Sequence, residues 1–252
     1  MPKKLKTLLS IAGSDPMGGA GIQADIRTGM SLGLHVVTAV TAVTAQNSRE
    51  FKDLGVISHE LLRLQLGSIR EDVTPDAVKV GMIGSLQNLK VVIDYLRTLP
   101  PGTPVVVDPI LKSTVGDNRM YEEDNFMDVF QNELVPLATV ITPNCEEAVS
   151  FYGANAKITT GIQVDNKESI KDVLVMGDVI LEYIHPKIAT HNLHGTGCTY
   201  SSLLASFLAL GNSLETSFMS ASERMSQIIA CSCDYSLGAS VYGPLNINNY
   251  KL

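Results

Sequence analysis

Short apolar runs and helical repeats alternate along the whole chain. Leu8-Leu9-Ser10-Ile11-Ala12 is a run suited to a buried strand. Gly13 stops it, and a glycine-rich loop leads into a helical pattern over Ile22–Leu32. Val36–Ala45 alternates Val with Thr or Ala, the two-residue period of a strand. Leucines at helical spacing mark Glu60–Arg70. Ala77–Met82 predicts a strand, Leu86–Leu96 a helix, and Pro104–Val107 a strand closed by Asp108-Pro109. Further on, the pattern predicts a helix at Phe126–Leu137, a strand at Thr139–Thr142 and a helix at Glu146–Tyr152. Val173–Tyr183 reads as a hairpin turning at Gly177-Asp178, and two helices follow, Thr196–Leu210 and Leu214–Leu237. Strands alternating with helices imply βαβ units, hence an α/β fold with a mostly parallel sheet and helices on both faces. No linker or repeat interrupts the series, so residues 1–252 read as one domain. In such sheets ligands bind beyond the carboxyl ends of the strands, which is where chemistry is to be sought.

Composition narrows the class. The 252 residues are 45% hydrophobic and 18% charged, enough apolar surface for the core of one large domain and too much for disorder. The net charge is −7, and only the stretch with Lys3, Lys4 and Lys6 is conspicuously basic, which argues against a nucleic-acid partner. Cys145, Cys198, Cys231 and Cys233 are too scattered for a disulfide scaffold and form no Cys-x-x-Cys pair. Cys231-Ser232-Cys233 reads as small residues on a buried helix. The stretch between Lys187 and Glu215 carries no Asp, Glu, Lys or Arg, but its dense apolar part, Leu203–Leu210, is too short to span a bilayer. With no secretory signal at the start, these features predict a cytoplasmic protein with no membrane partner.

Four places carry candidate chemistry. The first is the loop Gly13-Ser14-Asp15-Pro16-Met17-Gly18-Gly19-Ala20-Gly21. It begins like a P-loop, but Gly19-Ala20 stands where Lys-Ser/Thr is required, and no Gly-x-Gly-x-x-Gly register fits. What remains is backbone able to approach a ligand closely, with Asp25 one turn into the helix; a plain tight strand–helix turn, for which glycine is the default residue, is the less favoured alternative. The second is His194-Gly195-Thr196-Gly197-Cys198, at the start of an uncharged helix. Helix N-termini attract anions and shift a thiol toward thiolate, so this is either an anion cradle with an activated Cys or a glycine-capped helix with an inert one. Third and fourth are the strand ends Asp108-Pro109 and Thr142-Pro143-Asn144-x-Glu146-Glu147. Carboxylates there suit Mg²⁺, and Asn144 with Glu147 also fits a capping box. His59-Glu60-Leu61-Leu62-Arg63 lacks the second His of a zinc protease motif. His185, His191 and His194 have no ligand spacing and read as solvated or structural. No Gly-x-Ser-x-Gly elbow supports a hydrolase.

Taken in order, several motifs together are specific. Ala12-Gly13-Ser14-Asp15-Pro16 with Gly18 to Asp25 resembles the hydroxymethylpyrimidine/phosphomethylpyrimidine kinases of thiamine biosynthesis, in the ribokinase-like superfamily. The resemblance extends to Thr44-Ala45-Gln46-Asn47, Lys79-Val80-Gly81-Met82, Val107-Asp108-Pro109, Ile141-Thr142-Pro143-Asn144 with Glu147, and His194 to Thr199. It implies a three-layer fold with a small β lid formed by the start of Val36–Asn47, a homodimer, and phosphorylation by ATP with Mg²⁺. The substrates implied are the pyrimidine's hydroxymethyl group and then the resulting monophosphate. By the same resemblance Gly13, Ala20, Asp25, Gln46, Met82 and Ile110 hold the pyrimidine; an amide such as Gln46 donates and accepts at once, which suits a ring nitrogen beside an amino group. Asp108 and Glu147 fall on the metal side, and Thr142, Asn144 and Thr196 on the nucleotide side. Gly195, Thr196 and Gly197 form the anion hole. Cys198 stands where other ribokinase relatives carry Asp, and becomes the general base, its pKa lowered by the helix end.

One departure is large. The family carries a further helix and a strand ending in Lys-Gly-Gly where only Gly153–Lys171 intervenes here, roughly 20 residues short by ordinary element lengths. Loss of an interior parallel strand would tear the sheet, so the expectation is residues missing from the chain as written rather than a deleted strand. Pyridoxal kinases of the same superfamily, and a non-catalytic pyrimidine-binding protein, are the competing readings. A sugar kinase fits less well, because its Asp is absent after Gly197.

Overall fold

The computed structural model describes residues 4–110, 124–164, 168–234, 236–238 and 243–247. One nine-stranded sheet runs in the order β3-β2-β1-β4-β5-β6-β7-β8-β9. Its strands are β1 (Thr7–Ser14), β2 (His35–Gln46), β3 (Phe51–Val56), β4 (Ala77–Val80), β5 (Val105–Val107), β6 (Val140–Ile141), β7 (Lys157–Gln163), β8 (Ser169–Met176) and β9 (Val179–Pro186). From β2 to β7 all neighbours are parallel, and antiparallel strands β3, β8 and β9 extend the two edges.

Helices α1 (Gly21–Ser31), α5 (Thr196–Ala209) and α6 (Leu214–Ala230) cover one face; α2 (His59–Asp72), α3 (Leu86–Leu96) and the short α4 (Phe126–Val129) cover the other. The period of two along the strands distributes the core between them. Leu8, Val106 and Val140 pack under α5 and α6, while Leu9, Ile11, Val107 and Ile141 pack under α3 and α4. Each such fully buried side chain contributes roughly 1.5–3 kcal/mol. Two residues break the rule on the α1–α5 face: Ser10 and Lys79, both fully buried in strands of Val and Leu.

The elements differ from the sequence pattern in several places. Phe126–Leu137 is not one helix. After α4 the chain widens into a π turn at Phe130–Leu134 and tightens into a 3₁₀ turn at Val135–Leu137, where Pro136 can donate no backbone hydrogen bond. Glu146–Tyr152 is only a 3₁₀ turn at Glu147–Ser150, and the chain passes directly into β7. That strand pairs in parallel with β6 through Ile141 and Lys157, so a parallel strand occupies this position of the sheet. Residues 165–167, within the stretch expected to be incomplete, lie outside the described residues. The lid hairpin is built from the end of β2, Ala42–Gln46, against β3, and not from its start. Finally, α6 stops at Ala230, so Cys231 and Cys233 are exposed and only Ser232 between them is buried.

The hairpin of β8 and β9 pairs in register from Ser169 with Pro186 to Met176 with Val179. One side of it packs on α6. On the other side Val175, Ile180 and Ile184 are exposed.

Candidate active site

The site gathers at the carboxyl ends of β1, β2, β4 and β5, where the glycine-rich loop after β1 meets the turn that opens α5. One carboxylate organises the loop. Asp15 accepts backbone N–H bonds from Met17 (2.9 Å), Gly19 (3.0 Å) and Ala20 (2.9 Å), and Nε2 of His194 donates to its Oδ2 at 2.9 Å. Burial pushes the Asp15 carboxyl up, but the His194 bond, the backbone donors and the imidazole charge outweigh it and hold the group below its ordinary value. Two glycines make the meeting possible. Gly21 sits at φ +55° with an added Cβ only 2.2 Å from the Gly13 carbonyl oxygen, and Gly195 at φ +86° with one 1.8 Å from that of Gly19. Backbone lies on backbone at both places, so neither tolerates a side chain.

A cavity of about 70 Å³ opens between these loops. Gly13, Ala20, Gln46, Met82, Ile110 and Cys198 all line it, joined by Thr44, Phe51 and His194. Thr44 and Gln46 are two apart on β2 and so share a face, a signal the strand period carries. Phe51 lies on β3, which the sequence pattern did not reveal, and His194 was read as solvated or structural.

Asp25 is elsewhere. It is fully buried beneath the cavity, where it pairs with Lys79 at 3.0 Å and accepts hydrogen bonds from Ser10 and Ser202. Lys79 Nζ also lies 3.9 Å from Asp108 Oδ2, to which the Ser201 hydroxyl donates at 3.0 Å. The structure therefore places Asp25 in a fully buried charge cluster and not among the residues that line the cavity. Burial alone would lower the Lys79 pKa, but the charges of Asp25, Cys198 and Asp108 raise it well above the usual lysine range. Burial pushes the Asp108 carboxyl up, against the opposing pull of Lys79 and Ser201.

Cys198 behaves differently from the expectation that the helix end lowers its pKa. Burial, with Asp108 and Asp25 adding to it, outweighs Lys79 and a backbone bond from Gly21, and the thiol is pushed up to about 12. Around it, Gly195 caps α5 and accepts from Thr199 N–H; Thr196 N–H is already donated to the Leu193 carbonyl at 3.2 Å. Helix geometry leaves the N–H groups of Gly197 and Cys198 without intrahelical acceptors.

A second cavity, about 210 Å³, lies on the other side of this turn. Thr196 and Gly197 line one end, and Thr160, Asp172, His185 and Met225 the rest. Asn144 reaches its edge by a backbone bridge to Thr160. The Asn144 side chain accepts from the N–H groups of Glu146 (2.9 Å) and Glu147 (3.0 Å), and the Glu147 carboxylate accepts from Asn144 N–H at 3.1 Å. This is a reciprocal cap on the 3₁₀ turn. Thr142 is buried at the end of β6 with its hydroxyl turned toward the Val107 carbonyl, 3.5 Å away. Asp172 was not singled out from sequence and His185 was read as solvated or structural; their buried carboxylate and imidazole stand 3.9 Å apart, brought together by the β8–β9 register. No helix among the described residues is long and apolar enough to cross a membrane.

Known proteins resemble this chain over most of its length. The family model described as phosphomethylpyrimidine kinase matches residues 15–162 and 150–246. A protein of Oryza sativa subsp. japonica named "Probable thiamine biosynthetic bifunctional enzyme, chloroplastic" is 36% identical over 95% of this chain and 47% of its own length, so the chain spans about half of that relative. The hydroxymethylpyrimidine/phosphomethylpyrimidine kinase of Rhizobium meliloti (strain 1021) is 35% identical over 81% of this chain and 82% of its own. Among solved structures, a Bacillus subtilis pyridoxal kinase bound to ADP superposes with a TM-score of 0.80 at 27% identity, covering 96% of this chain and 97% of that one. With its motifs, its nine-stranded three-layer architecture and these matches, the chain belongs to the phosphomethylpyrimidine kinase family of the ribokinase-like fold.

Proposed function

We propose that this chain transfers the terminal phosphoryl group of ATP to the hydroxymethyl group of 4-amino-5-hydroxymethyl-2-methylpyrimidine, and then to the monophosphate so formed. The observation that carries the reading is the shared wall. The turn Gly195–Cys198 borders both cavities, with Cys198 facing the one lined by Gln46 and Met82 and with Thr196 and Gly197 facing the other. A donor in one cavity and an acceptor in the other would meet at N–H groups able to hold the charge that develops in transfer.

In this reading the Gln46 amide orients the pyrimidine and Met82 packs on its ring. The hydroxyl oxygen attacks phosphorus, ADP leaves, and Cys198 Sγ takes the hydroxyl proton. A thiol raised to about 12 is scarce as thiolate at neutral pH but correspondingly basic, so the first transfer should speed up with pH, about tenfold per unit across pH 7–9. The acceptor of the second transfer is already ionised, so Cys198→Ala should impair the first step more than the second. Asp108 offers hard carboxylate oxygens just under 4 Å from the place a Gly197 Cβ would take, a donor that suits Mg²⁺, and Glu147 stays with it on the metal side by the family resemblance alone. Mg²⁺ bound with ATP would neutralise phosphate charge; Asp108 is kept in place for it by Ser201 and Lys79. A homodimer fits the exposed lid hairpin, whose strand β3 is a free sheet edge.

The test is ADP release with Mg-ATP and, separately, the hydroxymethylpyrimidine, its monophosphate and pyridoxal, for wild type and Cys198→Ala. Turnover on both pyrimidines is expected, with the mutant losing mainly the first; equal losses would reject Cys198 as the base. The likeness to a pyridoxal kinase favours a second reading, which turnover on pyridoxal alone would select. Tight pyrimidine binding without ADP release would make the chain a binding protein.

A further inference from the structure

Far from the residues of the active site, α2 and α3 enclose a groove of about 310 Å³, larger than either cavity described above. Arg63, Gly67 and Arg70 line its α2 side at spacings of four and three, and Val91, Asp94, Tyr95 and Thr98 line its α3 side. Leu66 closes the floor.

Three features of this groove are unexplained by packing. Gly67 sits inside a 14-residue helix, where glycine is the least favourable residue after proline, yet no atom stands within 4 Å of the place its Cβ would take. The missing side chain is what keeps the groove open. Arg63 and Arg70 flank it about 10 Å apart along the helix axis. Both are exposed and neither forms an ion pair within 4 Å among the described residues, although Arg63 attracts Glu60 one turn before it, in a chain with an excess of seven negative charges. Asp94 at the rim is turned toward Arg97 at 4.0 Å. Tyr95 is 6% exposed and its hydroxyl has no hydrogen-bond partner among the described residues, a costly state for a buried donor.

We propose that this groove binds a small organic phosphate, its phosphoryl group held by the guanidinium forks of Arg63 and Arg70 and its apolar body laid against Leu66, Val91 and the Tyr95 ring. Arginine forks match phosphate oxygens in pairs, and the Tyr95 hydroxyl gains the partner it lacks. The volume accommodates a single ring with one phosphate.

The probe is phenyl phosphate, titrated calorimetrically into the full chain. Binding at the active site would persist in every variant below, so a loss reports on the groove. Gly67→Leu fills the groove while improving the helix, and should abolish one binding event without lowering the Tm. Arg63→Gln/Arg70→Gln should weaken that event at least tenfold, and Tyr95→Phe severalfold with a Tm no lower than that of the wild type. An isotherm unaltered by both Gly67→Leu and the double arginine variant would overturn the site. Inorganic phosphate binding there as tightly as phenyl phosphate would overturn the organic ligand.

Discussion

The buried pair of Asp25 and Lys79 gives the sharpest test, because a structural role and a substrate role for Asp25 predict different outcomes. Asp25 lies in a family motif that implies contact with the pyrimidine, yet its carboxylate is fully buried against Lys79, Ser10 and Ser202. Changing Asp25 to Asn keeps the shape and an acceptor for one hydroxyl but leaves the Lys79 ammonium unpaired in the interior, with Asp108 only at 3.9 Å. Removing one partner of a buried ion pair costs about 3–5 kcal/mol. Removing both, in Asp25→Asn/Lys79→Met, leaves no orphan charge and should recover most of that loss, so the cycle shows a large favourable coupling. Urea unfolding of the wild type, both single variants and the double variant measures it, with midpoints compared at constant slope. The KM for the pyrimidine, measured on folded protein, should change less than threefold in Asp25→Asn. A variant within 1 kcal/mol of wild type but with a tenfold higher KM would refute the structural reading and restore Asp25 to the substrate.

Three further outcomes follow from the same geometry. Gly195→Ala places a Cβ against the Gly19 carbonyl at a positive φ, and should cost at least about 2–3 kcal/mol of stability and nearly all turnover; a variant with wild-type Tm and kcat would show that the two loops do not touch. Iodoacetamide at pH 8 should label the exposed Cys145, Cys231 and Cys233 long before Cys198, whose thiolate fraction is roughly a thousandfold below that of an ordinary thiol; fast labelling of Cys198 followed by mass spectrometry would contradict its high pKa. The Asp15 carboxyl is held below its ordinary value in the fold, so its contribution is complete above about pH 4 and is lost as the pH falls through the depressed pKa. The stability difference between wild type and Asp15→Asn should accordingly shrink as the pH falls below about 4 in denaturant titrations; a difference unchanged down to about pH 2 would refute the depressed Asp15 pKa.

Much of this molecule is legible along the chain because the parallel strands are short, apolar and separated by amphipathic helices. Leu86–Leu96 and the hairpin at Gly177-Asp178 coincide with α3 and with the β8–β9 turn. What was missed has a polar face or an irregular backbone. Strand β3 reads Phe-Lys-Asp-Leu-Gly-Val and exposes most of its side chains, so no apolar run marks it. Strand β7 is interrupted by Gly161 at φ +72°, a bulge whose N–H is taken by the Asp172 carboxylate. The cavity residues Gly13, Ala20, Gln46, Met82, Ile110 and Cys198 were nameable only because motifs scattered over the chain resemble one family; nothing in their local pattern says that they converge. The roles of Lys79 and His194 depend on partners 54 and 179 positions away, and local sequence holds no trace of such pairings.

The exposed side of the β8–β9 hairpin has a consequence for how the protein moves. Most of the sheet is clamped between helices, but at this edge the strands are held from one side only, by α6, while Val175, Ile180 and Ile184 meet solvent. Backbone amides here are protected by strand pairing and half a core, so they should exchange with deuterium at lower opening free energy than those of β1 or β4. Thr160, Asp172 and His185 hang from this same edge and form the far wall of the second cavity. Whatever fills that cavity therefore stitches the loose edge to α5, and its binding free energy is partly the free energy of closing a local unfolding equilibrium.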